Sequence, residues 1–353
     1  MLSTQDGTVF TGLRDISAGS SHVLAIDSNG YVISFGDNTY GELGNGTTGS
    51  SAFRYPLYVL QAGGSRLGKA LAVYAGNDSS FAVLEDHTVR AWGHPHWLGV
   101  GSATTSSFAT EVRDEFGQVL ADVRTLAVAP DGTHTLALTG DGSLYVWGQG
   151  ISGSLCGGDL CLTGDGTSDA SPHAVPVRNA LGAPITHPRS FAVGLQHTVV
   201  VQSDGTVLTW GKNQYGQLGD GTTTIRPKAQ YMLASDGTPI RDVVAVHAAD
   251  NYTLLITADG SVWTVGSDHY GVIGDGQAPG DSSYRTYPVQ VIEEDGTPLS
   301  KVIAASIGRN GVVVKKSDGS YWSWGLIAGC ELSSCTSATV PVLKAKRSLL
   351  LNR

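Results

Sequence analysis

The chain has 353 residues, 47 of them glycine; only 15% are charged, and the formal net charge is −9. That acidity argues against nucleic acid as a partner, because phosphate binding wants a basic stripe. The one basic cluster, Lys344, Lys346, Arg347 and Arg353, reads as a solvated terminal strand. No run approaches the roughly 18 apolar residues of a membrane helix, and Met1 opens no signal-peptide pattern.

One unit recurs along the chain. Its first copy has Gly19, then His22 at the head of an apolar run, a turn at Asn29-Gly30, a strand ending in Phe35-Gly36, and the glycine-rich loop Asn38-Thr-Tyr-Gly-Glu-Leu-Gly-Asn-Gly46. The second copy follows with Gly76, Ser79 and Trp92-Gly93, but carries Glu85-Asp86-His87 at its turn and His94-Pro-His96-Trp97 in its loop. The third has Asp131, His134, Asp141-Gly142 and Trp147-Gly148, and its loop holds Cys156-Gly-Gly-Asp-Leu-Cys161. The fourth has Gly194, His197, Asp204-Gly205, Trp210-Gly211 and Asn213-Gln-Tyr-Gly-Gln-Leu-Gly-Asp-Gly221. The fifth has Ala249, Tyr252, Asp259-Gly260, Val265-Gly266 and Asp268-His-Tyr-Gly-Val-Ile-Gly-Asp-Gly276. The sixth has Gly308, Gly311, Asp318-Gly319, Trp324-Gly325 and a loop with Cys330-Glu-Leu-Ser-Ser-Cys335.

The Trp-Gly glycines are spaced by 57, 55, 63, 55 and 59 residues. A period of this length marks an array of one supersecondary unit. Asn-Gly and Asp-Gly between apolar runs signal hairpins, and predict two-residue turns with positive φ at both central positions. An apolar segment around proline, such as Tyr287-Pro-Val-Gln-Val-Ile, supplies a fourth strand. No helical periodicity appears. The fold class is therefore all-β: four-stranded units that satisfy their sheet edges by standing radially, as in a β-propeller.

The repeats run roughly over 1–57, 58–113, 114–178, 179–232, 233–292 and 293–343, in a single domain with a tail at 344–353. Six copies predict six blades, with seven as the alternative if Lys344 to Arg353 starts a further element. Met1 to Leu13 aligns with the turn that opens a repeat, but lacks the apolar strand before it. The chain ends in such a strand, Val340-Pro-Val-Leu343. The expectation is a ring closed by the two termini, with Val340 to Leu343 in the sheet of Ile16 and His22.

The combined pattern of Ala-Gly-x-x-His, Asp-Gly, Trp-Gly and Gly-Gln-Leu-Gly-Asp-Gly resembles the repeat of the regulator of chromosome condensation family, closest to its bacterial style with Asp-Gly-Thr-Pro-Leu before the first strand. The resemblance covers nearly the whole chain. It implies a propeller, seven-bladed in well-known members, that works by binding other proteins. Photoreception within the family uses a Gly-Trp-Arg-His-Thr motif; the matching positions read Gly19-Ser-Ser-His-Val and Gly194-Leu-Gln-His-Thr, without its tryptophan or arginine.

Chemistry is sought where one copy departs from the others. The two cysteine pairs fall in copies that are not neighbours, so two local disulfides, Cys156–Cys161 and Cys330–Cys335, are favoured over a shared metal site. Each would close a short loop, for roughly 2 kcal/mol, and would place the protein in the extracellular space or the periplasm. Free thiols in a cytoplasmic protein are the alternative. His22, His134 and His197 share one repeat position and read as inter-blade hydrogen-bonding groups to neighbouring backbone. Asp220 and Asp275 are explained by turn chemistry rather than calcium.

No nucleophile elbow, zinc-protease helix or phosphate-binding loop is present. The favoured function is a non-catalytic, monomeric binding propeller without a cofactor or metal. It would recognise a protein, or a glycan, through loops on one face. His94, His96, Trp97, Tyr40, Tyr215, His269 and Tyr270 are the candidate contacts, aromatic residues being enriched at interfaces. An enzyme with an axial-channel site, a hydrolase or lyase, is the first alternative. A guanine-nucleotide exchange regulator is the second, although neither a basic N-terminal tail nor a clear wedge-like hairpin is seen.

Overall fold

The computed structural model describes residues 9, 11–95, 98–101, 104–131, 133–148, 171–179, 181–280, 283–326 and 342–347. Among them there is no α-helix. Twenty-four strands form six antiparallel four-stranded sheets, each built from consecutive strands. The chain divides into two compact units, residues 1–187 and 188–353, with three sheets in each.

In the first unit, sheet one comprises β1 (Asp15–Ala18), β2 (His22–Ile26), β3 (Val32–Asn38) and β4 (Gly49–Tyr58). Sheet two comprises β5 (Ala70–Ala75), β6 (Ser79–Leu84), β7 (Val89–Gly93) and β8 (Ser106–Glu111). Sheet three comprises β9 (Val123–Val128), β10 (His134–Thr139), β11 (Leu144–Gly148) and β12 (Ser171–Pro176). In the second unit, sheet four comprises β13 (Ser190–Val193), β14 (His197–Val201), β15 (Val207–Gly211) and β16 (Arg226–Tyr231). Sheet five comprises β17 (Val243–Ala249), β18 (Tyr252–Thr257), β19 (Val262–Ser267) and β20 (Tyr284–Gln290). Sheet six comprises β21 (Val302–Ile307), β22 (Gly311–Lys316), β23 (Tyr321–Gly325) and β24 (Val342–Arg347).

The recurring glycine at the end of each third strand has a steric cause. Gly36, Gly93, Gly148, Gly211, Gly266 and Gly325 all have φ between 92° and 128°. A Cβ at any of them would run into the backbone carbonyl of the second strand, at Ser21, Asp78, Thr133, Gln196, Asn251 or Asn310. The register with the fourth strand shifts across the same step in every sheet. Such a bulge re-aims the residue before the glycine. Trp92, Trp147, Trp210 and Trp324 stand at that position and are fully buried.

The core lies between adjacent sheets. Leu24, Ile26 and Val32 of sheet one pack with Val73, Ala82 and Trp92 of sheet two, and Phe81 and Val83 pack with Leu126 and Trp147 of sheet three. In the second unit, Val199 and Val201 meet Val246 and Leu255, and Leu254 and Val262 meet Val312 and Trp324. Backbone hydrogen bonds staple the outer strands too. The amides of Gly46, Gly221 and Gly276 donate to the carbonyls of Ser107, Thr286 and Leu343 in the next sheet, at 2.9–3.0 Å.

Two expectations are corrected and a third is extended. The hairpins are not two-residue turns with paired positive φ. In the third copy only Gly142 is left-handed (φ 84°), not Asp141. The Gly142 amide donates to Thr139 O and Asp141 Oδ1 accepts from the Ser143 amide, each at 3.0 Å. This is a type I turn closed by a left-handed residue. Hydroxyl and amide donors hold the carboxyls of Asp141, Asp204, Asp259 and Asp318 below the usual carboxylate range. The irregular copy folds the same way: His87 takes φ 60° in the glycine's place and Asp86 accepts from the Thr88 amide at 3.0 Å.

The last strand is not exchanged into the first sheet. β24 pairs with β23, placing Val342 opposite Gly325 and Arg347 opposite Trp322, while sheet one draws all four strands from residues 15–58. Lys344, Lys346 and Arg347 thus complete sheet six rather than starting a seventh element. The strand-like segment seen at the chain end is simply the fourth strand of its own repeat.

Two of the repeat histidines, His22 and His197, link neighbouring sheets through a hydroxyl, and His22 also meets the Asn77 backbone of the next sheet. His22 Nε2 is 2.8 Å from Ser80 Oγ, which donates to Glu42 O at 2.8 Å. His197 Nε2 is 3.0 Å from Thr253 Oγ1, which donates to Gln217 O at 2.9 Å. Burial holds the His22 imidazole down at about 4 and that of His134 at about 3. Replacing Ser80 or Thr253 with alanine removes the hydroxyl that each buried ring nitrogen meets and should lower stability by about 1–3 kcal/mol. In urea denaturation, a cycle of His22→Ala and Ser80→Ala should show a coupling of about 0.5–3 kcal/mol; strictly additive losses would contradict the relay.

Candidate functional site

Within each unit, the loops after the third strands leave neighbouring sheets at the same end. Their frame repeats. Asn38 Oδ1 and Asn213 Oδ1 accept the amides of Leu43 and Leu218 at 3.0 and 2.9 Å. Ser34, Thr209 and Thr264, on the third strands, donate to the carbonyls of Leu43, Leu218 and Ile273 at 2.7, 2.8 and 2.5 Å. The loop then lies against the indole of the next sheet, whose Nε1 donates to it: Trp92 to Glu42 O at 2.7 Å and Trp324 to Val272 O at 2.8 Å. Gly44 (φ 60°) is required there, since a Cβ would sit 2.9 Å from the Trp92 ring.

Tyr40, at the tip of the first loop, is 40% exposed. Its ring meets His94 of the second loop edge to face, with centroids 4.7 Å apart. The structure therefore brings two of the sequence candidates together. His269 and Tyr270 stack likewise at 4.3 Å in the fifth loop, while Tyr215 is half-buried in the fourth. His96, Trp97 and the four cysteines lie outside the described residues.

Sequence reasoning missed the acids around Tyr40 and His94. Asp37 follows Gly36 directly, Asp78 precedes Ser79, and Glu42 is fully buried beneath the loop. The Tyr40 amide donates to Glu42 Oε2 at 2.8 Å, and Glu42 Oε1 has no partner. Burial raises the Glu42 carboxyl, with Asp37 and Asp78 adding to it. Burial also raises Asp78, against the pull of His94. Among the described residues no lysine or arginine forms an ion pair with these three acids. The signal was present in the sequence, as acids where the fourth and fifth copies carry Lys212, Gln217 and Asn251.

By contrast, Asp220 and Asp275 are each held 2.6 Å from an arginine, Arg226 and Arg285. Among the described residues no group of three or more histidines, cysteines or acids is placed to hold a metal ion, and no helix is long and apolar enough to cross a membrane.

Six four-stranded antiparallel blades, three in each unit, with indole or backbone donors tying neighbouring sheets together within a unit, define a β-propeller. Solved structures share the fold: human WBSCR16 superposes with TM-score 0.69 at 19% identity, covering 96% of this chain and 82% of that one. Yeast RCC1, crystallised bound to Kap60, gives 0.66 at 20%, covering 94% and 74%. Two descriptions of the regulator of chromosome condensation (RCC1) repeat match stretches of the chain, one over residues 13–42 and 189–217 and the other over 29–83 and 204–256. Curated relatives include the ultraviolet-B receptor UVR8 of Arabidopsis thaliana, 28% identical over 88% of this chain. The probable E3 ubiquitin-protein ligase HERC6 of Homo sapiens is 28% identical over 76%. The chain spans 64% of the receptor's length and 24% of the ligase's.

The indole contact makes a direct prediction. Trp92→Phe keeps the packing but removes the donor to Glu42 O, and should cost about 0.5–1.5 kcal/mol. Tyr40→Ala, at an exposed tip, should stay within about 0.5 kcal/mol of the parent. Thermal denaturation of the two variants side by side checks the contrast.

Proposed function

We propose that this protein is a binding propeller that holds a protein partner through the loops after its third strands, without catalysis of its own. The observation that carries the reading is the exposed Tyr40 ring against His94, backed by Asp37 and Asp78 without a lysine or arginine paired to either among the described residues. An aromatic anchor beside unneutralised acids suits a basic segment of a partner, since complementary charge sets specificity and encounter rate. The relatives agree with a binding or regulatory role at the level of the repeat, yeast RCC1 having been crystallised with a bound protein. The ligase relatives extend far beyond the matched repeats, so their activity is no guide to this chain.

Proteins captured by immobilised wild-type propeller should be lost from a Tyr40→Ala/His94→Ala double variant of unchanged melting temperature, and should elute with salt. An identical set on both, insensitive to salt, would sink the reading.

An extracellular or periplasmic location goes with the proposed Cys156–Cys161 and Cys330–Cys335 pairs. Non-reducing peptide mapping of protein from its native compartment should recover both pairs; four alkylatable thiols would place the protein in a reducing compartment instead.

A further inference from the structure

Two acids occupy positions that other copies fill with amides. In the fourth copy, Asn213 Oδ1 accepts the Leu218 amide while its Nδ2 donates to Asp220 Oδ1, Thr222 O and Thr224 O at 3.0–3.1 Å. Asn38 does the same in the first copy, donating to Thr47 O at 3.0 Å. The fifth copy has Asp268. Its Oδ1 accepts the equivalent amide, Ile273, at 3.2 Å, and its Oδ2 is left buried with no partner. The surroundings of that second branch in the other copies are acceptors: carbonyls, hydroxyls and a carboxyl. An ionised carboxylate there would set oxygen against oxygen.

The second case is Glu42. At the same position Gln217 accepts the Tyr215 amide through Oε1 at 3.0 Å and points Nε2 at Asn251 Oδ1, 3.5 Å away. Glu42 keeps the first contact, to the Tyr40 amide. Its other oxygen has no partner, and the residue in the place of Asn251 is Asp78. Two carboxyls thus stand where an amide pair stands in the other unit.

We propose that Asp268 and Glu42 are neutral carboxylic acids in the folded protein, each presenting an O–H where asparagine or glutamine presents an amide N–H, so that the loops carrying Tyr40 and His269–Tyr270 hold their shape in acid and loosen as the pH rises. A buried acid kept neutral avoids the cost of a desolvated, unpaired charge.

The groups facing each acid fit this reading. Asp268 is opposed by Asp275, and Arg285 offsets it only partly because that guanidinium is already paired with Asp275. His269 is its chain neighbour, and Tyr284 pairs with the adjacent Ser267. Around Glu42 stand Asp37 and Asp78, with His94 beyond Asp78, Tyr40 above and a neutral His22 held down by burial. Burial, ahead of Asp275, pushes the Asp268 carboxyl up to about 6. The unfolded chain releases this proton near the ordinary aspartate value, so stability is full below about pH 4 and falls as the pH rises to about 6. Above that, the loss amounts to roughly a hundredfold in the folding equilibrium.

The test uses the whole chain carrying 13C-labelled aspartate and glutamate carboxyls, with Asp268→Asn and Glu42→Gln to assign the two signals. Asp268 should still be protonated at pH 5, well above where Asp141 and Asp204 have ionised, and Glu42 should titrate above the ordinary glutamate range. Asp268→Asn should melt higher than the parent at pH 8, the gap closing by pH 4. Because buried histidines such as His22 shift stability the opposite way, the variants are compared at matched pH. An Asp268 signal already ionised at pH 5, or a Glu42 signal that titrates in the ordinary glutamate range or below it, overturns the proposal, as does an Asp268→Asn variant that melts lower at both pH values. Should a variant fail to fold, the wild-type titration alone decides. No partner is needed, so the outcome is independent of the binding reading.

Discussion

Everything in this molecule hangs on a backbone collision avoided. The third strand of each blade ends on a residue whose missing side chain lets it lie against the carbonyl of the second strand. That approach produces the bulge, and the bulge takes the preceding side chain out of register with the fourth strand. A buried tryptophan in that place can reach back to the previous blade, and its ring nitrogen meets the loop there, as Trp92 does at Glu42 O. Blade geometry, inter-blade adhesion and loop position are thus set by one dipeptide. The indole bond is not needed at every junction: Trp147 is buried with its ring nitrogen unpartnered, and Val265 cannot donate, although Thr253 there still bonds to the preceding loop.

The same loop carbonyl is used twice. Glu42 O accepts from both the Trp92 indole and the Ser80 hydroxyl, and the hydroxyl also meets His22 of the same sheet as the loop. His22 Nε2, the Ser80 hydroxyl and the Glu42 carbonyl form a short buried chain in which each of these three atoms meets a neighbour, which lowers the cost of burying them. Unsatisfied atoms then stand out. The orphan oxygens of Glu42 and Asp268 sit in the loops after the third strands, two residues from Tyr40 and Tyr270 respectively.

Much of this was legible beforehand. The Trp-Gly period and the Asx-Gly turns gave four strands per copy, because steric needs of glycine write themselves into sequence at fixed spacing. The turn type was misread since Asp141 serves as a side-chain acceptor, a role the dipeptide does not distinguish from a left-handed residue. The hydroxyl partners of the histidines were missed although Ser80 and Thr253 recur one residue after the repeat position; small hydroxyls look unremarkable until a buried ring nitrogen is placed beside them. The fate of the last strand was misjudged because a fourth strand at the chain end looks the same whether it serves its own blade or another. The acids near Tyr40 were readable only by comparing copies position by position, since none departs from ordinary loop composition.

The backbone staples between outer strands carry a consequence for how such proteins diversify. The amides of Gly46, Gly221 and Gly276 reach the next blade through main-chain atoms, so that junction asks nothing of the side chains around it beyond the glycine itself. The path from Gly148 to Ser171 is far longer than that from Gly211 to Arg226, yet β12 still pairs with β11 in the common register. Length can therefore be added between the bulge and the fourth strand without renegotiating the scaffold. A blade of this kind is a fixed socket with an interchangeable fitting, and new surfaces can be tried one copy at a time while the other five keep the fold.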